Sequence, residues 1–144
     1  MLSCSSRQVW EFVEWLREQP FYENTTIVLA GDHLTMDPIF LEDIDEDYTR
    51  TVYNCFINST VRPYRKYNRQ FGTFDLFPTT LAAMGVTIEG DRLGLGTNLF
   101  SGELTWTERY GHEALDAELQ LRSEFYNEKM LGMEDEVYDP ILND

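Results

Sequence analysis

Asn24-Thr25-Thr26-Ile27-Val28-Leu29-Ala30-Gly31-Asp32-His33 is the stretch on which the fold turns. Its centre, Ile27 to Ala30, is uninterrupted apolar sequence that follows the polar turn Tyr22-Glu23-Asn24. Such a run reads as a strand covered on both faces, as in a parallel sheet. Gly31 ends it, so Asp32 and His33 are expected to project from the strand's tip, where open α/β sheets bind their ligands. An adjacent carboxylate and imidazole there are ready donors for a divalent metal. Oxygen and nitrogen suit zinc, manganese or related ions, and the pair alone does not choose among them. Two protein ligands are fewer than zinc sites use, so the chain by itself is expected to hold metal weakly or not at all. The structural alternative is a loop carboxylate that caps a helix beside a hydrogen-bonded histidine.

Working outward, the spacing of Val9, Phe12, Val13 and Leu16, widened by Trp10 and Trp15, predicts an amphipathic helix over 6–19, capped by Ser5 or Ser6 and ended by Pro20. A helix feeding a buried strand is half of a βαβ unit. Residues 34–49 read as a loop in which Glu42, Asp43, Asp45, Glu46 and Asp47 form a solvated acidic cluster; it lacks the glycine and terminal glutamate of a calcium loop. Thr51 to Ile57 reads as a second strand. Arg62, Arg65, Lys66 and Arg69 concentrate positive charge, either facing phosphate or balancing nearby acid. Thr73 or Asp75 starts the next helix, with Leu76, Phe77, Leu81 and Met84 as its expected buried face and Gly85 as its stop. Residues 89–102 are glycine-rich and read as an irregular loop; Gly94-Leu95-Gly96 has no following Gly-Lys-Ser/Thr to make it a phosphate loop. One long helix is expected over 107–131, with Leu115, Leu119, Arg122, Tyr126 and Met130 on a common face. The domain is expected to span 1–132, with 133–144 an acidic, flexible or loosely docked tail.

The chain has 144 residues, 42% of them hydrophobic, which suffices for a core. Eleven basic against 26 acidic residues give a net charge of -15, which opposes binding to nucleic-acid phosphates and favours solubility. Cys4 and Cys55 make neither a metal spacing nor a disulfide framework, and Cys55 reads as a small buried hydrophobe. No apolar run reaches the roughly 18 residues of a membrane span, and no signal peptide is evident.

Three stretches together resemble the alkaline phosphatase superfamily, in its sulfatase-like branch of phosphoglycerol transferases and lipoteichoic acid synthases: Asn24 to His33, Phe71 to Gly85 with its Asp75-Leu76-Phe77-Pro78-Thr79 core, and Arg92 to Gly102 with Gly94-Leu95-Gly96. The likeness runs from about residue 6 to 131. It implies an α/β fold that is the C-terminal portion of a three-layer sandwich, with Asp32 and His33 as ligands to manganese, magnesium or zinc. It also implies a threonine nucleophile and a further acidic ligand in a missing N-terminal half. Thr25, Thr26 and Thr35 do not match the nucleophile's context, so no catalytic nucleophile is assigned, and the substrate-binding residues stay open. The parent would be membrane-anchored at the extracytoplasmic face of a bacterial membrane. It would move phosphoglycerol from a lipid head group to an acceptor such as a cell-envelope glycan. This segment alone would be soluble and inactive, and would expose an apolar face through which copies could associate. Some superfamily members use a late histidine, but His112 reads as an exposed residue at a helix start. The alternatives are a sulfatase or phosphodiesterase of the same superfamily, and a non-catalytic acidic binding module.

Overall fold

The computed structural model describes residues 2–42, 44, 45 and 47–132. Asp43 and Glu46 of the acidic cluster and the tail 133–144 lie outside the described residues. The chain divides into two compact units, one ending at Arg109 and one beginning at Tyr110.

In the first unit, helix α1 (Leu2–Arg17) ends in a tightened turn in which Glu18 and Gln19 donate to the carbonyls of Trp15 and Leu16. Pro20 cannot continue it. The helix starts earlier than the spacing predicts, and its apolar stripe is not core. Val13 is buried, but Val9, Trp10, Phe12 and Trp15 stay exposed, with Phe12 and Trp15 stacked on each other.

Strand β1 (Ile27–Ala30) pairs with β2 (Asn54–Ile57) in register Ile27↔Ile57 to Ala30↔Asn54. The pairing is antiparallel, which corrects the parallel neighbour expected from the apolar run. Burial declines along β1 from Ile27, which is buried, to Ala30, which is exposed; neither face of the strand is fully covered by the described residues. Gly31 N–H donating to the Tyr53 carbonyl at 2.8 Å carries the ladder one step beyond β1. Between the strands, the segment read as loop contains a short helix, α2 (Pro38–Glu42). Proline suits its first position, and the Asp37 carboxylate accepts the Ile39 N–H at 3.0 Å.

Helix α3 (Leu76–Ala83) follows a single 3-10 turn, Thr73–Asp75. Its buried face differs from the expected one: Pro78, Thr79, Ala82 and Ala83 are buried, whereas Phe77 and Met84 are exposed. Pro78 and Thr79 face inward where a hairpin packs close, and the Ala83 carbonyl accepts the Thr60 N–H at 2.8 Å. That hairpin, β3 (Arg92–Leu93) and β4 (Gly96–Thr97), turns at Gly94-Leu95 in place of the irregular loop expected there. A methyl group on Gly96 would overlap the Phe74 carbonyl and lie 2.8 Å from Pro78 Cγ, so the approach requires glycine.

Most of the large, fully buried side chains of this unit are polar. Asp75, Thr79, Thr97 and Thr105 are fully buried. Asp75 accepts the Gly72 N–H at 2.9 Å and the Thr97 N–H at 2.6 Å. Thr79 donates to the Asp75 carbonyl at 2.6 Å and accepts the Leu99 N–H at 2.9 Å. The Asp-x-x-Pro-Thr sequence therefore ties α3 to the hairpin, and buried polar groups persist because their partners are in place.

The single helix expected over 107–131 is interrupted. The chain forms α4 (Trp106–Tyr110), then α5 (His112–Leu119), then one wide turn at Tyr126–Met130. The break falls at Gly111, whose φ of 83° leaves the helical region.

Candidate functional site

Asp32 and His33 sit one residue past the β1 ladder, as the sequence places them, and both are exposed. Three contacts set their geometry. The His33 backbone N–H donates to Asp32 Oδ1 at 2.9 Å. His33 Nδ1 lies 2.8 Å from the Leu34 carbonyl. A carbonyl can only accept, so this bond puts the proton on Nδ1 and leaves the Nε2 lone pair bare in the neutral ring. That Nε2 lies 3.4 Å from Asp32 Oδ2. The two lone-pair atoms are thus close enough to reach one ion. With metal–ligand bonds of about 2.1 Å, the edge of a tetrahedral site is roughly 3.4 Å, so the pair has the bite of two ligands to one ion. The His33 N–H, joined by Asp32's own N–H and the nearby imidazole, holds the Asp32 carboxyl below its ordinary range, so it is anionic at neutral pH. A divalent ion would accept this donor set, but it is incomplete: among the described residues no group of three or more His, Cys, Asp and Glu side chains could hold a metal.

His33, though not Asp32, lines a cavity of about 440 Å³ together with Thr35, Phe40, Tyr48 and Arg50 among others. Arg50 Nη1 donates to the Thr35 carbonyl at 3.1 Å, which brings a guanidinium to the histidine's cavity. Sequence reasoning passed over Arg50: it is an isolated basic residue in an acidic loop, 15 positions from Thr35, and no local pattern marks it. The threonines divide. Thr35 lines the cavity, whereas the Thr25 and Thr26 hydroxyls donate to the carbonyls of Phe21 and Asn58 at the other end of β1. In the second unit His112 is exposed at the start of α5. Asp45 and Asp47 of the acidic cluster flank a turn in which Asp45 Oδ1 accepts the Asp47 N–H at 2.9 Å.

Gly94-Leu95-Gly96 is a hairpin turn and not a phosphate cradle. Of the basic segment, Arg69 is structural. Its side chain is only 7% exposed. It grips Glu108 with Nε and Nη2, each at 2.9 Å. Its remaining N–H groups donate to the carbonyls of Leu99, Ser101 and Glu103 at 3.0, 3.1 and 2.6 Å. Every guanidinium donor is thereby used, and none is left for a phosphate. Arg65 also binds Glu108, which in addition accepts the backbone N–H groups of Thr105 and Gln70.

Burial pushes the Glu108 carboxyl up, but the Arg69 fork and these N–H groups outweigh it and hold the carboxyl below the ordinary 4.5. The folded state therefore binds this proton less readily than the unfolded chain. The stabilisation is complete above pH 4.5 and is lost as pH falls through the lower folded value. Asp75 acts in the opposite sense: burial raises it above 3.8 despite its two N–H bonds, so its contribution is present below that value and is lost as pH rises through the folded one. Urea midpoints measured against pH should fall on acidification below 4.5, and Glu108→Gln should flatten that decline. An equally steep acid limb in the variant would show that Glu108 is not its source.

Comparison with known proteins finds partial similarity to one kind of enzyme. The chain is 29% identical over 102 residues to "Phosphoglycerol transferase I" of Xanthomonas campestris pv. campestris (strain B100), a match covering 71% of this chain and 14% of that protein. It is 30% identical over 100 residues to the protein of that name from Xanthomonas euvesicatoria pv. vesicatoria (strain 85-10), covering 69% and 14%. The corresponding protein of Salmonella choleraesuis (strain SC-B67) is 28% identical over 104 residues, covering 71% and 13%. The aligned part is thus about one-seventh of each relative's length. No protein-family model matches, and no solved structure matches.

Proposed function

We propose that this chain is part of a divalent-metal-dependent phosphoglycerol transferase and supplies Asp32 and His33 as two of the metal's ligands. The observation that carries the reading is the 3.4 Å separation of Asp32 Oδ2 and His33 Nε2, beside a cavity that His33 lines. The similarity to phosphoglycerol transferases supports the reaction class. A bound ion would neutralise phosphoryl oxygens and activate a hydroxyl nucleophile. The Leu34 carbonyl fixes the His33 tautomer and leaves Nε2 as the nitrogen with a free lone pair. Asp32 stays anionic. Arg50, anchored on Thr35, offers guanidinium N–H groups to a phosphoryl oxygen in the cavity.

In this reading the nucleophile, the remaining ligands and the rest of a three-layer α/β sandwich come from further chain. The donor is a lipid head group, the acceptor a cell-envelope glycan or similar hydroxyl compound, and the setting is the extracytoplasmic face of a bacterial membrane. Among the described residues no helix is long and apolar enough to cross a membrane. Val9, Trp10, Phe12 and Trp15 on α1 would be covered by the rest of the domain. Expressed alone, the chain is expected to hide this face by self-association and to elute larger than a monomer in size-exclusion chromatography. A monomer that binds no hydrophobic dye would contradict that arrangement.

Titration of the chain with Mn²⁺, followed by the loss of the free-ion electron paramagnetic resonance signal, tests the ligand assignment. One weak site is expected, with a dissociation constant on the order of 0.1–1 mM for a two-ligand site, a free energy of about 4–5.5 kcal/mol. Asp32→Ala and His33→Ala should each abolish it. Equal uptake by both variants would overturn the assignment.

A further inference from the structure

Asp32 and His33 sit between two ties to one returning segment, residues 50–53. Before the pair, the Gly31 N–H donates to the Tyr53 carbonyl at 2.8 Å. A methyl group on Gly31 would lie 2.9 Å from Val52 Cβ, so the backbone there runs too close to the segment for a side chain. After the pair, Arg50 Nη1 donates to the Thr35 carbonyl at 3.1 Å, across 15 positions. Among the described residues this is the one hydrogen bond that closes the loop 34–50. The others there are local, such as the Ile39 N–H to the Asp37 carboxylate and the Tyr48 N–H to the Asp45 carbonyl. Charge balance does not account for the bond. Arg50 shares its loop with Glu42, Asp45 and Asp47, yet it makes no ion pair among the described residues and spends a donor on a neutral carbonyl. It is also half-buried, while Thr49 and Thr51 beside it are exposed.

The clamped residue adjoins the group that holds the imidazole. His33 Nδ1 lies 2.8 Å from the Leu34 carbonyl. That carbonyl lies in the peptide plane that ends at the Thr35 Cα, so fixing Thr35 limits how far the plane can turn. Little else restrains it, because Asp32, His33, Leu34 and Thr35 are all exposed. We propose that Arg50 is a positioning residue. By tying Thr35 across the loop, it keeps the Leu34 carbonyl on His33 Nδ1 and so presents Nε2 as the donor nitrogen. Its purpose rests on the reading of His33 as a metal ligand; its geometry exists without an ion. The role is distinct from any contact between the remaining guanidinium N–H groups and a phosphoryl oxygen.

The test compares wild type, Arg50→Met and Arg50→Lys, each labelled with ¹⁵N at histidine and free of metal, by NMR in alkaline buffer where histidine is ordinarily neutral. Methionine keeps a long apolar stem and loses every donor. Lysine keeps an ammonium donor, which suffices for one carbonyl. Wild-type His33 should show two distinct ring nitrogens, Nδ1 protonated and Nε2 bare. Arg50→Met should draw the two shifts together as the released ring exchanges between tautomers, and should weaken Mn²⁺ uptake about threefold or more. Arg50→Lys should restore the wild-type shifts. His112 and the thermal melt should be the same in all three chains, which separates a local release from a loss of fold. Ring nitrogens already averaged in the wild type, or unchanged in Arg50→Met, would overturn the proposal. So would averaged nitrogens in Arg50→Lys, or a lowered melt with a moved His112 in both variants, by showing a general structural role. If the His33 shifts respond as expected and the wild type takes up no Mn²⁺, the positioning role stands and the metal reading falls.

Discussion

Arg69→Ala should destabilise the first unit by about 3–5 kcal/mol, the cost of breaking a buried ion pair from one side. The substitution leaves the Glu108 carboxylate, itself 7% exposed at the side chain, with only the half-exposed Arg65 as a cationic partner. It also strips donors from the carbonyls of Leu99, Ser101 and Glu103. Desolvated acceptors without partners are penalised individually by about 1–3 kcal/mol, although water entering the vacated space would recover part of that. Total stability of a domain is about 5–15 kcal/mol, so a loss of this size takes a large share of it. Arg69→Lys should rescue little. One ammonium cannot reproduce a two-pronged grip on a carboxylate together with three carbonyl contacts. Urea denaturation followed by circular dichroism reads both variants. A midpoint for Arg69→Ala within error of the wild type would show that the buried network contributes nothing net.

Asp32→Ala or His33→Ala, introduced into a longer protein that contains this chain and transfers phosphoglycerol, should lower turnover by on the order of 10³-fold or more. Metal stabilisation of phosphoryl-transfer charge contributes several kcal/mol, and each 1.4 kcal/mol is about tenfold in rate. The same substitutions should leave the melting temperature nearly unchanged, because both side chains are exposed and none of their hydrogen bonds reaches beyond Leu34. The two predictions therefore separate. Arg69 is expected to carry stability without chemistry, and Asp32 and His33 chemistry without stability. Full turnover in either ligand variant would remove the enzymatic reading. A loss of turnover that tracks a loss of fold would remove the claim that the pair acts as ligands.

The contrast explains what the sequence could disclose. Asp32 and His33 are neighbours in the chain and follow a run of apolar residues, so local pattern alone placed them past a strand end. The start of α3 is similarly within reach, because the Gly72 N–H to Asp75 contact lies inside one turn; the tie of Asp75 and Thr79 to the hairpin is not, because it joins residues 22 and 20 positions apart. The antiparallel partner of β1 was not, since strand pairing is decided by where the chain returns and an apolar run is compatible with either direction. The grip of Arg69 on Glu108 joins residues 39 positions apart; the basic run marks Arg69 but nothing local names its partner. Inward-facing residues of α3 were misjudged because size was read as burial. Gly96 approaches Phe74 and Pro78 closely, the Thr79 hydroxyl bonds the Leu99 N–H, and Phe77 is left outside. Gly111 was legible as a helix breaker, and the apolar spacing over 107–131 obscured it.

The chain holds only two histidines, His33 and His112, which permits a direct test of the central claim. The chain would be labelled with ¹⁵N at histidine and titrated with millimolar Zn²⁺ while both ring nitrogens are followed by NMR. Coordination at His33 Nε2, with Nδ1 still protonated against the Leu34 carbonyl and with His112 unmoved, is the expected result. A His33 ring that ignores the ion, or one that binds through Nδ1, would contradict it.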